Sequence, residues 1–166
     1  MPIQAYMSVT GQKQGQFHGE TTQNKRKDSI PILAFQMGLV SPHDSSSGLS
    51  TGKRVYRPMV ITKEWGASSP QGLIACSTNE NLKDVTIEFT KTNPAGQLYT
   101  SQTVRLTDAS IVEIERFTRG QDGTLLLAAG NLNTLELETW ALTFRKIEVD
   151  DNPTNISFVD DWSVTT

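Results

Sequence analysis

Apolar and polar residues alternate from the start of the chain. Ile3, Ala5, Met7 and Val9 fall on one side, and Gln4, Tyr6 and Ser8 on the other. A period of two over Ile3 to Thr10 predicts a half-buried strand. The same period returns at Val85, Ile87 and Phe89, which alternate with Thr86, Glu88 and Thr90. Ile30 to Val40 is largely apolar and predicts a second strand, with Pro31 at its start. Arg54 to Lys63 is β-branched and aromatic; Pro58 within it cannot donate to a ladder and marks an edge strand. Leu98 to Leu106 and Ser110 to Phe117 predict two more strands, divided at Thr107-Asp108. Thr134 to Val149 is the longest strand-like run. Its apolar parity switches between Leu137 and Trp140, which implies a bulge or two buried faces. Ile156 to Trp162 reads as a last short strand.

Between these runs lie turn signals. Gly11, Gly15 and Gly19 punctuate a polar stretch that ends in Asn24-Lys-Arg-Lys-Asp28. Asn93-Pro-Ala-Gly96, Gly120-Gln-Asp-Gly123 and Asp150 to Asn155 read as turns or loops. Ser41 to Thr51 is a long Ser/Gly-rich loop, and loops of that length in a compact domain usually carry function or disorder. One helix is expected, starting at Ser68-Ser69-Pro70. Ser69 suits a cap, and Pro70 suits the first helical position, where a missing N–H costs nothing. Leu73, Ile74, Cys76 and Ser77 follow, and the helix ends near Thr78-Asn79. Many short strands at regular spacing argue for a sandwich or barrel.

The chain has 166 residues, so a single domain spanning 1–166 is expected, large enough to bury a core without staples. The net charge of -3 argues against a general nucleic-acid binder. No window approaches a membrane span, and the N-terminus lacks the basic and apolar regions of a secretory signal. Cys76 is the one cysteine, which suits a reducing compartment and excludes an internal disulfide.

Candidate chemistry is sparse. Gly48-Leu-Ser-Thr-Gly-Lys-Arg-Val-Tyr-Arg-Pro58 looks like a phosphate cradle, but only three residues separate Gly48 from Gly52. A P-loop needs four, then a hydroxyl after its Lys and a helix beyond, whereas Arg54 and a strand follow Lys53. The two histidines, His18 and His43, are too few for a metal site without tightly spaced partners. Cys76 reads as a core-facing side chain on a short helix rather than a nucleophile. Ser45-Ser-Ser47 has no nucleophile elbow around it. The neighbours Asp150-Asp151 and Asp160-Asp161 point to opposite faces of a strand, so no acid/base pair is implied. Glu113 and Glu115 share a face with each other, as do Glu136 and Glu138; such a face is solvated or meets a basic partner. Lys25-Arg-Lys27 reads as solvent-facing. No catalytic constellation emerges, no cofactor is expected, and the weight falls on binding or assembly. Edge pairing is a natural route to assembly for a β-rich chain.

Several stretches, taken in order, resemble the haemolysin-coregulated protein (Hcp) family, the tube subunit of bacterial type VI secretion. Ala5-Tyr-Met-Ser-Val-Thr-Gly11 with Gln14-Gly15 is similar to the family's opening strand and turn. Gly52-Lys-Arg54, Pro58 and Ile61-Thr-Lys63 resemble its third strand, and Ser69-Pro70 with Leu73 and Ala75 the helix that follows. Val85-Thr-Ile-Glu-Phe89, Tyr99-Thr100 and Leu106 fit the next strands. Phe144, Lys146-Ile147 and the terminal Asp160-Asp-Trp162 fit the close. The similarity spans nearly the whole chain and rests on the order and spacing of these stretches together.

The resemblance implies a mainly-β fold: a β-barrel of two antiparallel sheets with one short α-helix packed on the side, like a phage tail tube. It implies a homohexameric ring, with rings stacked into a hollow tube that carries small effector proteins. The implied partners are further copies of the chain and the spike, sheath and baseplate proteins, with no nucleic acid and no membrane insertion. Assembly in the cytoplasm and export without a signal peptide would follow. In such a fold the loop from Ser41 to Tyr56 would reach a neighbouring subunit or ring. Interface residues are then expected at His43, Lys53, Arg54, Tyr56, Arg57, Glu113 and Glu136, with Glu115 and Glu138 as further acidic partners for the cations. Thr124 to Gly130 is an apolar patch where relatives are more polar, an extra strand or a contact surface. The chain stops at Thr166, so no fused toxin domain and no enzymatic activity are expected. The alternatives are a non-catalytic β-sandwich binding module, for which Trp65, Trp140 and Trp162 are too scattered to make a stacking platform, and a small hydrolase using Cys76.

Overall fold

A computed structural model describes residues 3–21, 27–120 and 135–162. The strands are β1 (Gln4–Gly11), β2 (Gly15–Gln16), β3 (Ile30–Ile32), β4 (Ala34–Val40), β5 (Val55–Glu64), β6 (Leu82–Thr92), β7 (Leu98–Arg119), β8 (Leu135–Asp151) and β9 (Ile156–Asp161). One helix, α1 (Ser68–Thr78), lies between β5 and β6. The apolar stretch of residues 124–130 lies outside the described residues, as do Lys25, Arg26 and positions 121–123 of the expected turn.

All ladders are antiparallel, in the order β2-β1-β6-β7-β8-β5-β4, with β3 on β1 and β9 on β8. The mainly-β antiparallel architecture with a single short helix is therefore as expected. The hydrogen-bonded path, however, is open rather than a closed circle. Its two sides are joined through the backbone: β3 ladders on β1, the chain bends at Leu33, and β4 ladders on β5. Leu33 itself donates its N–H to the Thr62 carbonyl at 2.7 Å. The run Ile30 to Val40, expected as one strand, is thus two, because each half serves a different neighbour.

The opposite correction applies to β7. Thr107-Asp108 reads as a break, yet Leu98 to Arg119 is continuous. Asp108 takes a positive φ of 51°, but Thr107 and Ala109 keep their partners Lys146 and Phe144. Asn81 and Arg145 donate to the Asp108 carboxylate and hold that unusual backbone. The irregularity expected on β8 between Leu137 and Trp140 sits instead on its partner, where Val112 is the extra residue of a bulge in β7. On β8, consecutive Leu137 and Glu138 are both buried, so both faces are covered there.

Inward-pointing side chains of β1, β5, β6, β7 and β8 form the core, among them Met7, Met59, Ile61, Ile87, Leu106, Trp140 and Leu142. Helix α1 buries small residues, Ser68, Ser69, Gly72 and Ala75, while Leu73 and Ile74 face outward. The reason is Trp140. A Cβ on Gly72 would stand 2.4 Å from its Cζ2, so only glycine lets the helix lie against that ring. Ser69 does not cap the helix. Ala67 occupies the cap position with no side-chain bond. A remote carboxylate takes over: Glu20 accepts the Ser68 N–H at 3.3 Å and the Ser68 hydroxyl at 2.9 Å. Pro70 accordingly lies two residues inside the helix start.

Candidate assembly surfaces and the polar clusters behind them

The long loop between β4 and β5 folds on itself. His43 and Ser50 form a bridge, and Asp44 organises the tip. Its carboxylate accepts the Ser46 N–H at 3.1 Å and the Ser47 hydroxyl at 2.8 Å, which holds it below the usual carboxylate range. Gly48 closes the turn with a φ of 73°, a conformation that suits glycine. No helix N-terminus follows, so the glycines serve a hairpin and not a phosphate cradle.

At the root of this hairpin the chain departs from the expectation of outward-reaching cations. Arg54 is held in its own chain: Nε and Nη2 form a two-pronged pair with the Asp160 carboxylate on β9. Tyr56 is buried and donates its hydroxyl to Asp160 at 2.6 Å. Its ring stacks on Trp162 with centroids 5.3 Å apart, and Phe144 meets both rings edge-on. Alongside, Arg145 binds Asp161 at 2.5 Å and Asp108 at 2.8 Å. The hydrogen bonds from Arg54, with that of Tyr56, hold the Asp160 carboxyl below its ordinary range. Burial, then the Asp160 contact, pushes the Tyr56 phenol up to about 12. Lys53 and Arg57 remain exposed on either side of this cluster.

The acidic candidates separate in the same way. Glu113, Glu115 and Glu136 are exposed. Glu113 lies opposite Ala141 and Glu136 opposite Thr118, so the two stand at different heights of the β7–β8 ladder. Glu138 is fully buried and is no surface partner for a neighbour. Its Oε1 accepts from Lys63 Nζ at 3.0 Å, the Ser69 hydroxyl at 2.8 Å and Trp140 Nε1 at 3.2 Å, while Arg116 Nε reaches Oε2 at 3.1 Å. Lys63, also fully buried, donates further to the Glu64 carbonyl at 2.6 Å. Every charge in this cluster is paired and hydrogen-bonded, as buried charges require. It ties α1 to β5 and β8, and Arg116 covers it from outside while lying 4.2 Å over the Trp65 ring.

The sequence reading missed Asp160 and Lys63 as organising residues. The partners of Arg54 and Lys63 lie 106 and 75 positions away, and no local pattern carries such pairings. Cys76 is half-buried against the core and His18 faces Asp28 at 3.8 Å, far along the chain from His43. Among the described residues, no three His, Cys, Asp or Glu side chains stand together in a metal-binding group. No helix of the described residues is long and apolar enough to cross a membrane.

One edge of the sheet is notable. Among the described residues β9 pairs with β8 on one side only, and its Ile156, Phe158 and Val159 are 69%, 43% and 53% exposed. A two-faced apolar strand with a free edge is a template for association.

Comparison with known proteins places this architecture. The family model described as type VI secretion system effector, Hcp, matches residues 6–150. The major exported protein of Pseudomonas aeruginosa is 35% identical over 172 residues, an alignment that covers 98% of this chain and 96% of that protein. The solved structure of the secreted protein Hcp3 from Pseudomonas aeruginosa is 29% identical with a TM-score of 0.76, covering 97% of this chain and 99% of that one. A variant of Hcp1 from the E. coli EAEC 042 pathovar is 25% identical with a TM-score of 0.80, again covering 97% and 99%. The family model over most of the chain and the 35% identical relative agree: this chain belongs to the Hcp family of type VI secretion.

Proposed function

We propose that this chain is the structural subunit of a type VI secretion tube. It assembles in the cytoplasm into homohexameric rings, the rings stack into a hollow tube, and the tube leaves the cell through the secretion apparatus without a signal peptide. Small effector proteins travel in the lumen, and spike, sheath and baseplate proteins are the other partners. The observation that carries this reading is β9: an apolar strand, exposed on both faces, with one edge unladdered among the described residues. A chain that stayed a monomer would gain nothing from presenting it. Lys53 and Arg57 at the hairpin root, with His43 within the hairpin opposite Ser50, are the contacts offered to a neighbour, and Glu113 and Glu136 are the acidic counterparts. Arg54 and Tyr56 act indirectly, by fixing the root through Asp160. No catalytic step is assigned to any residue.

The test is the native mass of the purified protein with negative-stain images of the same sample. Six chains in a ring with an open centre is the expected result. A monomer at high concentration overturns the reading and leaves a non-catalytic β-sandwich binding module.

A further inference from the structure

A small cavity of about 120 Å³ opens where β5 ends and the chain turns toward α1. Glu20, Pro31, Leu33, Glu64 and Trp65 line it. The indole is fixed in place: its Nε1 donates to the Leu137 carbonyl at 2.8 Å, and the Trp65 main-chain N–H donates to the Glu136 carbonyl at 3.1 Å. Glu20 is held by the Ser68 hydroxyl at 2.9 Å and lies 3.8 Å from Lys63 Nζ. Glu64 is exposed, and its carboxylate has no hydrogen bond or ion pair among the described residues. The contacts around Trp65 bring together two cations, Lys63 and Arg116, and four carboxylates, Glu20, Glu64, Glu136 and Glu138. Both cations bind Glu138, so the surplus is negative and lies outside, on Glu64 and Glu136. A cavity of this size holds one headgroup and not a whole small molecule, which needs several times the volume.

The opposite end of β5 carries the matching charge. Lys53 is exposed and makes no hydrogen bond or ion pair among the described residues. The cations beside it are committed to their own chain. Arg54 is paired with Asp160, and Arg57 lays its stem across Gly38, where an added Cβ would stand 3.2 Å from the Arg57 Cδ. Apolar surface accompanies the charge at both ends: Leu49 and Val55 are exposed near Lys53, and Leu33 is exposed at the cavity. β5 has ten residues, so the two ends stand about 30 Å apart and cannot meet within one chain.

We propose that the cavity at Trp65 receives Lys53 of a second copy, docked head to tail. This rests on the tube-subunit reading and adds to it which surfaces join one ring to the next. The ammonium lies between Glu64 and Glu20 beside the Trp65 ring, where carboxylates and indole both favour a cation. Leu49 and Val55 of the incoming copy cover Leu33. Site and ligand are different surfaces of the chain, so the contact is heterologous, and with its two halves at opposite ends of β5 it propagates as a stack. A single exposed pair contributes little, but a ring repeats it in every subunit.

The experiment is zero-length carbodiimide cross-linking of the concentrated wild-type protein, with products separated by native mass and linked peptides read by mass spectrometry. An amide between Lys53 and Glu64 is expected, in species larger than one ring; the separation within a chain forbids it as an internal link. Glu64→Lys should disperse stacks to single rings, and Lys53→Glu with Glu64→Lys in one chain should restore them. Six-chain rings that give no Lys53–Glu64 link overturn the proposal and leave the tube reading standing. So does a link confined to single rings, which makes the contact lateral, or a link from Glu64 to Lys25 or Lys27 in its place. Failure of the exchanged pair to restore stacking overturns it as well. A monomer without rings overturns the tube reading itself, and this inference with it.

Discussion

The phenol of Tyr56 donates a 2.6 Å hydrogen bond to the carboxylate of Asp160, a residue 104 positions further along the chain. That single bond ties the outgoing root of the β4–β5 hairpin to β9. Arg54 reinforces it on the same carboxylate, and Trp162 stacks over the Tyr56 ring. The hairpin and the exposed edge strand are therefore held by one latch.

Asp160→Asn should loosen both ends together. The expected cost is about 1 kcal/mol, small because the pair is partly in water. Hydrogen exchange is expected to rise in β9 and in residues 53–56 at once. Loss of protection in only one of them would mean that the two segments are not coupled. Because Asp160 titrates below its usual value of 3.8, its stabilising contribution is complete above that pH. It is lost as pH falls through the lower, folded value.

Tyr56 carries the opposite signature. Its phenol is raised from 10.0 to about 12 in the folded protein. The neutral form is favoured by folding, so this contribution is complete below pH 10 and disappears between about 10 and 12. A spectrophotometric titration should show one tyrosine ionising near 12 that is missing in Tyr56→Phe.

The buried pair of Lys63 and Glu138 predicts a non-additive cycle. Lys63→Met leaves the carboxylate facing Trp140 and Ser69 with only Arg116 as a charged partner and should cost about 3 kcal/mol by urea unfolding. The double variant Lys63→Met, Glu138→Leu removes both charges and is expected to cost clearly less than the two single changes summed. Additive losses would show that the pair does not act as a unit.

Charge reversal separates folding from assembly at the hairpin root. Lys53→Glu with Arg57→Glu should shift the native mass toward smaller species while unfolding stability stays within about 0.5 kcal/mol, as surface changes usually do. Arg54→Glu should lower both, since it places a carboxylate against Asp160. Unchanged native mass in the double variant would remove Lys53 and Arg57 from the subunit contact.

The alternating strands β1 and β6 were legible because each has one buried and one open face, and period two reports that difference directly. Asp108 misled because a positive φ in mid-strand has the sequence look of a turn; Asn81 from the loop before β6 and Arg145 from β8 hold it, and neither is visible locally. Glu136 and Glu138 sit two apart and looked equivalent. The difference is what covers them: α1 lays Ser69 on Glu138, while Glu136 stays in water. Parity fixes which residues share a face, not how far along the strand that face is covered. The hairpin root failed for the same reason, because the partner of Arg54 arrives with the last strand.

The bend at Leu33 has a mechanical side. Elsewhere neighbouring strands meet along ladders, whose hydrogen bonds can open singly and in sequence. At Leu33 the two sides of the sheet meet through main-chain bonds, which do not unzip. Pulling β1 away from β5 would load that peptide directly, and the strands would have to shear along their ladders before it gave way. A nick placed there would turn the strongest link between the two sides into a free end on each.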